Sequence, residues 1–353
     1  MSQKYEALMR CGRIFSPFYG GLMILRAWCY RIGLFKRHRL PVPVISIGNL
    51  TLGGTGKTPL VMYVARQLQA TGRKPAIVSR GYGGTAKKSV NVVSDTKSIL
   101  LDPIAAGDEP LLLAESLPNV PVLTGPRRSL VGRYAIDKFQ CDSIVLDDGF
   151  QHLAVERDLD LVLFSARTLL GDGWVFPGGR LREPFSALKR AHGFVITGVD
   201  AATKKKADSF KRFMKASFPD KPVFMGDFLP VCMLHSQKTK TFAIDKAKVL
   251  YLYGFAGIAN PESFRHTLQK ENFKLVGFEP FKDHYKYSYR DAERLIKTAR
   301  GKKAQALVTT EKDFVKLRKH FEDFPLLALK VELFMEEDFD LFLKENLGRF
   351  KRQ

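Results

Sequence analysis

From Val42 onward the chain carries short, continuously apolar runs: VPVISIG, KPAIVSRG, PVLTG, CDSIVLDDG, LDLVLFSA and AHGFVITG, the last ending at Gly198. Longer mixed segments separate them, and those after Lys57, Asp108 and Pro126 have helical character. Apolar runs without strict alternation suit strands covered on both faces, and their alternation with helices predicts a parallel sheet wrapped by helices. A second series begins at KVLYLYGFAG and continues through a Pro261-started helix, FKLVGFEPF, a helix ending near Gly301, QALVTT and PLLALKVEL. A charged helix from Glu336 closes it. Between the two series, a Lys-rich helical stretch is followed by KPVFMGDFLPVCMLHSQKTKTFAI, which reads as two strands around a polar turn. The pattern predicts an α/β core over residues 36–220, a linker hairpin over 221–246 and a smaller α/β domain over 247–353.

Before the first run lies Phe15 to Phe35, apolar and aromatic but interrupted by Arg26 and Arg31. It falls short of the roughly 20 uninterrupted apolar residues of a spanning helix, and it lacks a small-residue cleavage site of the secretory kind. Two readings of residues 1–35 stay open on pattern alone, a helix lying in a membrane interface and a helix packed on a core.

Composition narrows the class. The 353 residues include 45% hydrophobic ones, enough for real cores and against a disordered chain. Lys and Arg number 57 against 36 Asp and Glu, a net +21, which predicts an anionic surface or substrate as partner. The basic residues are spread out, with small clusters at Lys36 to Arg39, Lys204 to Lys206 and Phe350 to Arg352, rather than gathered in one arm as nucleic-acid binding would favour. Four dispersed cysteines without a CxxC pair suggest neither zinc nor a disulfide framework.

The first apolar run leads into GNLTLGGTGKTPL and then the helical VMYVARQLQA, the strand, loop and helix order of a phosphate-binding loop. This makes the core P-loop NTPase-like. Gly53, Gly54 and Gly56, with Thr55 between them, let backbone N–H groups approach phosphate oxygens. Lys57 supplies a point charge at the β- and γ-phosphates, and Thr58 a hydroxyl for Mg²⁺. The strict GxxxxGK[ST] pattern fails at one position, where Thr51 stands for the first glycine. ATP and Mg²⁺ are therefore the expected cofactors. The strand CDSIVLDDG ends in Asp147 and Asp148, where such a protein needs a carboxylate for the metal, and alternation along a strand points one of the two at it. Asp108, just before a helix, is explained as well by N-capping as by catalysis, and His284 as well by a surface loop. Acceptor activation would still require a base.

The ordered set GNLTLGGTGKTP, SRGYGG, GDEP, DDGFQH, GRLREP and DHYKY resembles the tetraacyldisaccharide 4′-kinase family, over about residues 10 to 320. That family's loop similarly begins without the usual first glycine, so Thr51 agrees with the resemblance. The resemblance implies transfer of the γ-phosphoryl of ATP to the 4′-hydroxyl of tetraacyldisaccharide 1-phosphate, giving lipid IVA, at the cytoplasmic face of the bacterial inner membrane. It implies Asp108 as catalytic base and His284 as its partner from the second domain. It further assigns Lys57, Thr58, Asp147, Asp148 and Glu183 to nucleotide and metal handling, and Arg80, Tyr82 and Arg133 to the substrate. Gln151 and His152 are left to packing or support. The lipid substrate and an anionic membrane surface are the implied partners, which makes residues 1–35 the expected membrane-interface helical segment, with no nucleic acid and no obligate protein partner. A GTPase-like switch or metal-insertion chaperone is the alternative, but it needs a guanine-reading NKxD, which the sequence lacks. TEKD at Thr310 to Asp313 reads instead as a helix start.

Overall fold

The computed structural model describes residues 9–321 and 323–349. The basic cluster at 350–352, the first eight residues of the expected 1–35 segment and the last four of the 247–353 domain lie outside the described residues. Helix α1 (Ser16–Arg31) precedes β1 (Val44–Asn49), α2 (Lys57–Ala70), β2 (Pro75–Ser79), β3 (Asn91–Ser94), α3 (Pro103–Ala106) and α4 (Asp108–Ser116). Then come β4 (Val122–Thr124), α5 (Arg128–Phe139), β5 (Ser143–Asp147), β6 (Leu159–Ser165), β7 (Gly193–Thr197) and α6 (Lys204–Ser217). The remainder comprises β8 (Val223–His235), β9 (Lys238–Phe242), α7 (Ile244–Lys248), β10 (Tyr251–Ala256), α8 (Pro261–Lys270) and β11 (Lys274–Pro280). It ends with α9 (Tyr289–Gly301), β12 (Ala306–Thr310), α10 (Glu311–Leu317), β13 (Leu326–Met335) and α11 (Glu337–Arg349).

Among the described residues thirteen strands form one sheet, ordered β11-β10-β12-β13-β8-β7-β6-β1-β5-β2-β4-β3, with β9 paired to β8. The apolar runs of the sequence are its parallel strands, as expected for an α/β fold with a P-loop core. Strand β3 went unpredicted because its four residues, NVVS, are too few to set a period. The two series are not separate sheets. Strand β8 runs parallel to β7 from Val223 to Gly226, then antiparallel along β13 as far as His235 opposite Leu327.

One face of the central strands packs Ile45, Ile47, Val145 and Leu161 against Leu60, Val61, Val64 and Leu68 of α2. The four α2 residues are fully buried. Truncating one such leucine to alanine costs about 2–5 kcal/mol, a large share of the roughly 5–15 kcal/mol that holds a domain folded. The helix behind the phosphate loop is thereby fixed in place. The opposite face packs Val162, Phe164 and Phe194 against Phe210 and Met214 of α6, and the elements from β10 to β13, the second lobe, pack Phe255, Leu307 and Leu326 against Leu295 and Phe314.

Candidate active site

The phosphate loop is held both by its own residues and by its neighbours. At the end of β1 the Asn49 amide donates to the Thr51 carbonyl at 2.7 Å. Leu52 N–H donates to Arg180 O at 2.7 Å and Arg182 N–H to Leu50 O at 2.8 Å, pairing the loop with the GRLREP segment. Thr51 sits in this pairing, bridged to Leu181, and does not have a positive φ. Extended backbone suits a β-branched residue, which is why threonine serves where the strict pattern has glycine. Gly56, at φ +78°, caps α2 in the left-handed region and turns the N–H groups of the first turn toward the loop. From the end of β7 the Thr197 hydroxyl donates to Thr55 O at 2.8 Å.

Strand β5 delivers the two adjacent carboxylates with different surroundings. Asp147 is buried; Ser79 Oγ donates to its Oδ2 at 3.3 Å, while its Oδ1 is buried without a partner. Burial, then the charges of Glu109 and Asp148, push the Asp147 carboxyl up to about 7. At Asp148 the chain turns with φ +54°, bringing its carboxylate 3.6 Å from Lys57 Nζ and 2.8 Å from Arg182 Nη1. Burial opposes ionisation there, but Lys57 and Arg182 outweigh it and hold Asp148 below the ordinary carboxylate range. Glu183, the next residue after Arg182, is buried and pairs with Arg190 at 2.9 Å. Arg157 and Asp160, 3.0 Å apart, belong to the same charge cluster, and Arg190 also lies 4.6 Å over the Phe150 ring. The surroundings of Glu183 are thus distinct from those of Asp147 and Asp148.

Helix α4 begins at Asp108, and its cap is Gly107 rather than the aspartate. Gly107 has φ +87°, and a Cβ there would lie 2.6 Å from Tyr82 O, so the GDEP and SRGYGG segments pack backbone to backbone. Freed from capping, the Asp108 side chain points across the lobe boundary. His284 Nδ1 and Lys316 Nζ each lie 3.3 Å from its Oδ2. Burial would raise the Asp108 carboxyl, yet the His284 hydrogen bond and the Lys316 charge hold it below its usual range. The same hydrogen bond, opposed by burial, raises His284. The Tyr82 ring meets the His284 ring edge-on at 5.7 Å. Glu109 pairs with Lys312 and feels the charge of Lys57, which sets the Asp108 segment beside the phosphate loop.

Nothing in the sequence marks Lys312 and Lys316 as site residues, since TEKD reads only as a helix start. Thr310 does cap α10, accepting from Asp313 N–H at 3.2 Å. The i, i+4 lysine spacing was visible, but nothing local says what it faces. Arg182 and Arg128 were missed as well. Arg128 Nη1 lies 3.2 Å from His152 Nδ1, and burial followed by the charges of Arg128, Arg157, Arg26 and Arg80 holds His152 down at about 4, so it stays neutral. Arg26 of α1 donates to Gln151 O at 3.1 Å. Arg80 and Tyr82 are exposed, and Arg133 is exposed further along α5 from the buried Arg128.

The chain matches the family described as tetraacyldisaccharide-1-P 4′-kinase over residues 8–348. Relatives include the tetraacyldisaccharide 4′-kinase of Desulfotalea psychrophila, 44% identical over 348 residues with 99% of each chain covered. That of Syntrophus aciditrophicus is 41% identical over 314 residues, covering 86% of this chain and 83% of the relative. The fold is similar to the crystal structure of LpxK from Aquifex aeolicus in complex with ATP, with a TM-score of 0.77 and 31% identity, covering 96% of this chain and 98% of that one. A phosphate loop, two carboxylates behind it and an aspartate bridged to the second lobe thus occur in a chain similar over nearly its whole length to those kinases, and the chain belongs to the tetraacyldisaccharide-1-phosphate 4′-kinase family.

Proposed function

We propose that this chain transfers the γ-phosphoryl group of ATP to the 4′-hydroxyl of tetraacyldisaccharide 1-phosphate, forming lipid IVA, with Asp108 as the base. The observation that carries the reading is Asp108, held below the ordinary carboxylate range by His284 from the other lobe, in the segment whose Glu109 feels the charge of Lys57. As the acceptor oxygen attacks phosphorus, its proton passes to the Asp108 carboxylate and the bond from the γ-phosphorus to the β–γ bridging oxygen breaks. Lys57 balances charge on the phosphates, and His284 orients the base. Both lobes must be together for this, so the arrangement couples chemistry to closure.

A bound Mg²⁺ would neutralise β- and γ-phosphate charge, and Thr58, Asp147 and Asp148 are the groups that would hold it. The unpartnered buried Oδ1 of Asp147 and its raised affinity for protons support that fit, since both mark a site short of positive charge. Among the described residues no three His, Cys, Asp or Glu side chains cluster in a metal-holding group. Mg²⁺ on two carboxylates, a hydroxyl and phosphate oxygens does not need one. The ion cluster around Glu183 supports a different part for that residue, bracing the Phe150 loop that follows Asp148. The exposed Arg80 and Tyr82, the Arg26–Arg128 side of the site and Arg133 offer cationic and polar contacts for the substrate's phosphate and sugars.

The apolar face of α1 supports docking at an anionic inner-membrane surface from the cytoplasmic side. Phe18 is 76% exposed and Trp28 52%, with Leu22, Leu25 and Ile32 exposed beside them, followed by the exposed basic cluster Lys36 to Arg39. Among the described residues no helix is long and apolar enough to cross a membrane.

The test is a kinase assay with ATP, Mg²⁺ and tetraacyldisaccharide 1-phosphate in detergent, read by mass analysis of the lipid. Phosphate should appear on the distal sugar, and Lys57→Ala and Asp108→Ala should each lower turnover by about 10²–10⁴-fold. ATP hydrolysis without phosphorylated lipid would refute the activity. Near-wild-type turnover of Asp108→Ala would refute the base.

A further inference from the structure

Lys316 is built into the second lobe more rigidly than a surface ion pair requires. Its side chain is 10% exposed, and its ammonium lies 2.9 Å from Asp313 Oδ1, donates to Tyr285 O at 3.3 Å and sits 5.1 Å over the Tyr287 ring. Asp313 is itself fully buried, its Oδ2 accepting from Gly257 N–H at 2.8 Å and from the Thr310 hydroxyl at 2.9 Å. The carbonyl of that same Gly257 accepts from His284 N–H at 3.2 Å, so one backbone residue anchors both side chains that reach Asp108.

Those two side chains converge on a single oxygen. His284 Nδ1 and Lys316 Nζ both contact Oδ2 of Asp108, and among the described residues nothing bonds to Oδ1. A carboxylate held by one donor can still turn about its Cβ–Cγ bond. Two donors arriving from fixed positions on one oxygen stop that rotation. We propose that Lys316 is a positioning residue for phosphoryl transfer, sharing Oδ2 of Asp108 with His284 so that Oδ1 alone is presented to the acceptor hydroxyl. This rests on the reading of Asp108 as base.

The test compares Lys316→Met, Lys316→Arg and Asp108→Asn with the wild-type full chain, using ATP, Mg²⁺ and tetraacyldisaccharide 1-phosphate. Lys316→Met should lower kcat by about 10–100-fold, the effect of displacing a reacting group by about 1 Å. KM for ATP should stay within about threefold, and Lys316→Arg should recover part of the loss. In the Asp108→Asn background, Lys316→Met should have no further effect on residual turnover, because the lysine acts through that carboxylate. If Lys316→Met unfolds by leaving Asp313 unpaired, the neutralised pair Lys316→Met/Asp313→Asn is measured in the same way. A kcat within about twofold of wild type, or an equal fractional loss with and without Asp108, overturns the proposal. An active Asp108→Asn enzyme instead removes the base reading itself, so the two failures are distinguishable.

Discussion

At Asp108 a single carboxylate meets a histidine and a lysine from a lobe whose sequence begins more than a hundred residues later. The proton affinities of Asp108 and His284 shift in opposite directions, and so do their pH windows. Asp108 is held below its ordinary range, so its stabilising contribution is present above that range and disappears as pH falls through the depressed value. His284 is raised, so its contribution is complete below the ordinary histidine value and disappears as pH rises through the raised one. The pair is therefore strongest in mildly acidic solution. A His284→Gln variant should melt below wild type by the widest margin near about pH 5–6, with the margin closing toward about pH 9. Melting curves across that range check it, and a margin that does not change with pH would contradict the ion pair.

At the scale of elements, α1 and the phosphate loop differ in how far pattern determines their role. The loop is read from its own residues, because Gly56 must adopt a positive φ and Lys57 must follow it. Helix α1 is ambiguous, since apolar residues occur around most of its circumference. Ser16, Gly20 and Cys29 are its buried positions; Ser16 donates to Val175 O at 2.7 Å, and Gly20 faces Pro184. Small residues meet the protein while the large ones face outward, the reverse of a core-packed helix. The double variant Leu25→Glu/Trp28→Glu should keep its melting temperature but lose about tenfold or more in partitioning to anionic vesicles, because charge replaces buried apolar area at the interface. Undiminished flotation with vesicles would count against membrane docking through this face.

Across the whole molecule, α4 is acidic where α10 and the turn after it are basic. Asp108 meets Lys316, Glu109 meets Lys312, and Glu115 meets Arg318 in a two-bond pair of 2.6 and 3.0 Å. The outermost pair is partly exposed and contributes on the order of 0.2–1 kcal/mol to stability, but reversing one charge turns attraction into repulsion at the lobe boundary. Glu115→Arg should lower kcat/KM several-fold, and adding Arg318→Glu should restore it. Failure of the exchange to rescue would show that the pair does not help hold the lobes together. Strands β8 and β13 join the lobes through one sheet, so the contacts between α4 and α10 adjust an arrangement that the sheet already limits.

Much of the protein is legible in its sequence. Apolar runs of strand length separated by helical segments identify an α/β sheet, since burial on both faces leaves its mark on every residue of a strand. Gly53 to Thr58 identify a phosphate loop because the groups that meet phosphate come from consecutive residues. Asp147 and Asp148 follow from their place at a strand end. The tertiary structure alone decided that Thr51 lies in extended backbone against Leu181 and that Glu183 turns to Arg190. It alone brought Arg128 and Arg182 to the site, exposed the large residues of α1 and fused the two series into one sheet. The reason is distance along the chain. His284 and Asp108 are 176 residues apart, and no local period or spacing encodes a contact that exists only after the lobes have packed.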